Sequence, residues 1–231
     1  MQALGKMADM MWLNILTLIC CIPIITAGAS LTALHYMALK IVRNEECYIT
    51  RGFFKSFKEN FKQATIIWLL MLVVIILLVG DFLIMKYSGL EFSKVLQIII
   101  VAVGVLFTFT AMFVFPVLAK FDNTTWRTIK NAFLMSIMQF PKTILMVILF
   151  AIPPVVFVLF PQVIPIVIMF GFSLPAWLSA KLYNKFFQKL EDQILEANSP
   201  AEEAEEDSEG EDERIFKDEL DESLLQEDSA K

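Results

Sequence analysis

The stretch TILMVILFAIPPVVFVLFPQVIPIVIMFGFSLPAWLSA, residues 143–180, runs for 38 residues without Asp, Glu, Lys or Arg. As one straight helix it would measure about 57 Å, nearly twice the roughly 30 Å hydrocarbon core of a bilayer. It therefore has to fold back. Pro161 and Pro165 flank its middle, where a tight turn would join two spans of about 18 residues each. A backbone in lipid must satisfy its own hydrogen bonds, so the spans are expected to be helices.

Three further uncharged runs lie upstream. Met10 to Leu39 holds 30 residues, Gln63 to Gly80 holds 18 and Val95 to Ala119 holds 25. Each is long enough for one crossing. The expected fold class is thus an all-α polytopic membrane bundle of five transmembrane helices. Over the whole chain 57% of the residues are hydrophobic, which a water-soluble domain rarely matches. Ala27-Gly28-Ala29 resembles a signal-peptidase site, but the segment before it is nearly neutral, with Lys6 offset by Asp9. Apolar sequence also continues beyond it, so a retained first span is the better reading.

Charge divides the 231 residues in two. From Asn198 to Lys231 there are 15 acidic residues against Arg214, Lys217 and Lys231, leaving plus 6 on the body from a net charge of minus 6. The expected domains are a membrane body, 1–197, and an acidic disordered cytoplasmic tail, 198–231, in which Phe216, Leu220 and Leu224 could order on a partner. In the body, the connections Lys40–Lys62 and Lys120–Lys142 and the segment with Lys181, Lys185 and Lys189 hold 13 Lys and Arg. Only Lys6, Lys86 and Lys94 remain for the other side. Basic connections stay in the cytoplasm, so five crossings predict an outside N-terminus and an inside C-terminus.

Both long basic connections have helical periodicity. In the first, Phe53, Phe54, Phe57 and Phe61 form an aromatic arc beside a cationic one of Lys55, Lys58 and Lys62. A short helix lying flat at the cytoplasmic interface is expected, with its rings either in the acyl boundary or on the protein's own spans. In the second, Trp126, Ile129, Phe133, Ile137 and Phe140 share an arc, so a second cytoplasmic interfacial helix is expected, which Pro141 would end. Span, basic helix and span then occur twice, with Lys58-Glu59-Asn60-Phe61 loosely echoed by Lys130-Asn131-Ala132-Phe133.

Residues that carry chemistry are few. Asp81 reads as an outer-boundary charge, and the single histidine, His35, as an interfacial polar residue near the end of the first span. Cys20, Cys21 and Cys47 have neither disulfide-framework nor metal-ligand spacing. No catalytic residue, cofactor or metal site is expected, and no enzyme or nucleic-acid partner. The prolines at 116, 153, 154 and 175 read as helix kinks.

Two segments resemble the YesL-like proteins, bacterial membrane proteins of unknown function. One runs from Trp12-Leu13-Asn14 through Pro23 and Gly28 to Arg51-Gly52-Phe53-Phe54 and Asn60-Phe61-Lys62-Gln63. The other is Phe115-Pro116-Val117-Leu118-Ala119-Lys120-Phe121 with Asn123-Thr124 and Lys130-Asn131-Ala132. Asn14, Pro23, Gly28, Arg51, Asn60, Pro116, Asn123 and Asn131 are the motif positions, without assigned roles. The resemblance implies an accessory protein beside an ABC-type sugar importer, within the lipid bilayer. A small permease for a neutral solute is the alternative, because such a solute needs no buried charge.

Overall fold

In the computed structural model, residues 2–45, 48–87 and 93–202 are described. They form eight α-helices: α1 Gln2–Cys21, α2 Ala27–Arg43, α3 Ile49–Tyr87, α4 Lys94–Lys120, α5 Thr125–Met138, α6 Phe140–Leu159, α7 Ile164–Phe170 and α8 Ser173–Glu202. No strand occurs among the described residues. By length and composition, Ile24–Arg43, α3, α4 and α6 can each cross a membrane, and the bent pair α7–α8 makes a fifth candidate. The chain is an all-α polytopic bundle.

The first apolar run departs from the expected single span. Pro23 cannot continue α1, which stops at Cys21, and a single 3-10 turn, Ile24–Thr26, leads into α2. The freed carbonyls find a partner in the Thr26 hydroxyl, which donates to the Cys20 oxygen at 2.6 Å and the Pro23 oxygen at 2.9 Å. The two helices then fold together as a hairpin, with the Ser30 hydroxyl donating to the Thr17 carbonyl at 3.0 Å. At the open end the Lys6 ammonium donates to the Asn44 side-chain oxygen. Lys6 therefore lies at the same end as the first basic connection, not opposite it.

A second departure concerns that connection. Residues 53–62 do not form a flat helix of their own; they are the opening turns of α3, whose 39 residues extend about 58 Å. No glycine or proline interrupts the passage from Phe61 to Met71, and α2 packs on the first half of α3, with Gly28 against Ala64 and Gly52 against Met37. At Gly28 a Cβ would lie 2.5 Å from the Ala64 carbonyl oxygen, so only glycine permits this approach. Lys58 and Lys86 stand about 42 Å apart on the one helix, at opposite ends.

The second connection does break. α5 ends at Met138, and Pro141 sits in the first turn of α6, where its missing N–H costs nothing. α5 packs on α4 with Thr128, Ala132, Met135 and Ser136 buried, and turns Trp126, Phe133 and Ile137 outward. Small and polar groups inside with aromatics outside is the reverse of a soluble amphipathic helix.

The fold-back after α6 occurs at Pro161–Val163 as the prolines predict, but α7 and α8 are separated by a further break at Gly171, with a bend of 44°. Pro175 falls in the first turn of α8 and is accommodated there. Pro116, Pro153 and Pro154 lie inside continuous helices. α8 runs through Glu202, past the expected tail boundary at 197. Residues 203–231, including the Phe216–Leu224 pattern, and Cys47 lie outside the described residues.

Candidate functional site

Polar side chains from distant parts of the chain meet at the packed centre formed by α1, α2 and α8, and in a groove where the start of α1 meets the start of α3.

Asn14 is the hub of the centre. It is fully buried on α1, and its side-chain oxygen accepts the backbone N–H groups of Phe172 and Ser173, both at 2.8 Å. Its amide nitrogen donates to the Ile168 carbonyl at 2.6 Å. One side chain thus satisfies groups left open on both sides of the α7–α8 break. Farther along α2, His35 is buried inside the bundle. Its Nδ1 lies 3.4 Å from the Tyr183 hydroxyl, and its ring rests against Phe150. The hydrophobic character of the first span hid this, because a lone histidine carries no sequence signal of depth.

At the end of α2, the Arg43 guanidinium forks onto Glu191 of α8, donating at 2.7 and 3.1 Å, and donates to the Asn184 side chain at 2.9 Å. Lys120, ending α4, stands 3.6 Å from the same carboxylate. Arg43 and Glu191 are almost buried, so the pair holds three helices together where solvent screens it little. Nothing in the local sequence marks these partners, which lie 148 residues apart.

The groove has a volume of about 850 Å³ and is lined by Asp9 and Trp12 from α1 and by Tyr48, Arg51, Phe54, Lys55 and Lys58 from the beginning of α3 and its approach. The Trp12 indole donates to the Thr50 hydroxyl at 2.9 Å, which fixes the ring as one wall. Among the expected interface residues, Phe53 is completely buried against the protein, while Phe54 is 39% exposed. Phe57 is half-buried, and Phe61, Lys55, Lys58 and Lys62 are exposed. The structure brings Phe54, Lys55 and Lys58 into the groove and leaves Phe61 and Lys62 outside its lining.

The motif positions separate by role. Pro23 breaks α1, Gly28 admits α3 and Arg51 lines the groove. Asn60 bonds only locally, to the Ser56 carbonyl and hydroxyl. Asn123 offers its backbone carbonyl to the Gln63 side chain, which ties α3 to the end of α4. Pro116 is buried within α4, and Asn131 is half-buried on α5. Among the described residues no cluster of three His, Cys, Asp or Glu side chains has the geometry to hold a metal.

This division of roles falls where a known family has been defined. Residues 10–82 match the family described as "Protein of unknown function, DUF624". The match takes in the α1–α2 hairpin, the Gly28 contact, the groove lining from Met10 onward and the uncharged part of α3, and stops short of α4. No curated protein and no solved structure matches the chain.

Proposed function

We propose that this chain is a non-catalytic accessory protein of the bacterial plasma membrane that packs beside a carbohydrate importer or another envelope complex, with its basic end in the cytoplasm. The observation that carries this reading is that the polar side chains at the centre of the bundle lock helix to helix. Asn14, Ser30, Arg43 and Glu191 are all engaged in bonds between helices. Meanwhile α3, α4 and α6 present long apolar faces outward, a surface suited to packing beside another membrane protein. The match over residues 10–82 agrees with the resemblance to YesL-like proteins, whose members accompany carbohydrate-uptake genes, and that resemblance supplies the class of partner.

The charge tally orients the protein. Because Lys6 shares an end with Asn44, this reading puts the N-terminus inside with the 13 basic residues, in place of the outside N-terminus expected from five simple crossings. Single cysteines placed at Lys6, Lys58 and Lys86, after the native thiols are masked, test the orientation with an impermeant reagent. Labelling from outside at position 86 alone is expected, and labelling at 6 or 58 would overturn it. For the function, crosslinking in native membranes followed by co-purification should recover importer or envelope subunits. Solute flux in liposomes holding only the purified chain would replace this reading with the permease.

A further inference from the structure

We propose that the groove between α1 and α3 is a binding site for the phosphate headgroup of an anionic phospholipid. Arg51, Lys55 and Lys58 are spaced at i, i+4 and i+7, so they share one face of α3 and spread their charge over about 10 Å of helix. The wall opposite is Trp12, pinned through its indole N–H to Thr50, and Phe54 stands beside the cations. Asp9 is the one carboxylate among the lining residues, which leaves the groove with an excess of two positive charges. Among the described residues none of the three cations forms an ion pair with a carboxylate.

The chemistry of the walls selects the ligand. Three cations on one face suit a phosphate, and a second, positively charged headgroup component would be repelled. Exposed Trp12 and Phe54 give nothing to inorganic phosphate, but they suit the glycerol and first methylenes of a lipid. Farther along α3 the surface continues as exposed Phe61, Ile66, Leu69 and Leu70, a path on which acyl chains can lie. The acidic segment from residue 198 onward has the charge to compete for the cations, but its Phe216, Leu220 and Leu224 are interleaved with carboxylates that would be carried onto the same apolar path.

Photoreactive phosphatidylglycerol and phosphatidylcholine analogues, incorporated with the full chain into nanodiscs and mapped by peptide mass spectrometry, test the site. The phosphatidylglycerol analogue should label residues 8–12 and 48–58 about tenfold more than the phosphatidylcholine analogue. R51Q/K55Q/K58Q should abolish that preference while labelling along residues 95–106, the exposed apolar start of α4 away from the groove, stays unchanged, which also reports that the variant is folded. Equal labelling by the two analogues, or a preference that survives the triple substitution, overturns the proposal. Two other outcomes reassign the groove and overturn the lipid as occupant. Loss of labelling in millimolar inorganic phosphate points to a free anion, and labelling that emerges only after deletion of 203–231 points to the chain's own acidic segment.

Discussion

α2 and the outer half of α3 are both uncharged over much of their length, yet they occupy opposite environments. In the best membrane-crossing window of the Ile24–Arg43 segment 67% of the residues are buried, against 11% for the corresponding window of α3. The less apolar helix is the core, and the more apolar one faces outward. In water the order would be reversed. In a bilayer, burying a leucine against protein instead of lipid gains little, so the interior is chosen by close approach and by polar bonds, and α2 supplies both through Ala27, Gly28, Ala29, Ser30 and Thr32.

Three experiments can break or sharpen this contrast, all read as thermal unfolding in detergent. The largest effect should come from neighbouring phenylalanines on α3. Phe53→Ala empties a fully buried site and should cost about 3–5 kcal/mol, whereas Phe54→Ala should cost well under about 1 kcal/mol. Equal losses would mean that the first half of α3 is not packed as described. Next come the glycines. Gly28→Ala drives a Cβ into the Ala64 backbone and should destabilise by about 1–3 kcal/mol. Gly104→Ala, on the outward half of α4 with open space around it, should be neutral or stabilising by up to about 1 kcal/mol. The same sign at both positions would erase the distinction between core and lipid-facing helix. The smallest effect is expected at Asn14→Leu, about 1–2 kcal/mol, with faster amide exchange confined to the start of α8. Unaltered exchange at Phe172 and Ser173 would show that the α7–α8 break is held by something else.

The candidate site was half legible in advance. The cations at 55 and 58 and the ring at 54 stood out because period 3.6 placed aromatics and lysines on adjacent arcs. The same period fits a helix lying on a membrane and one packed against α2, so it could not separate Phe53 from Phe54. The other wall, Trp12, lies 38 residues from its partner Thr50, and no local pattern relates them.

Composition by itself determined that the chain is a helical membrane protein with its basic residues gathered toward one face. A bilayer responds to the length of uncharged runs and to the placement of Lys and Arg, both of which are linear properties of the chain. Tertiary structure alone decided that the first run doubles back at Pro23, that α3 passes unbroken through its basic stretch, and that α7 and α8 part at Gly171. Each outcome depends on whether a distant group is present to take up a freed N–H or carbonyl, or to support a helix along its side. Ser30, Asn14 and the Gly28 contact fill those roles, and they act only once the helices have come together.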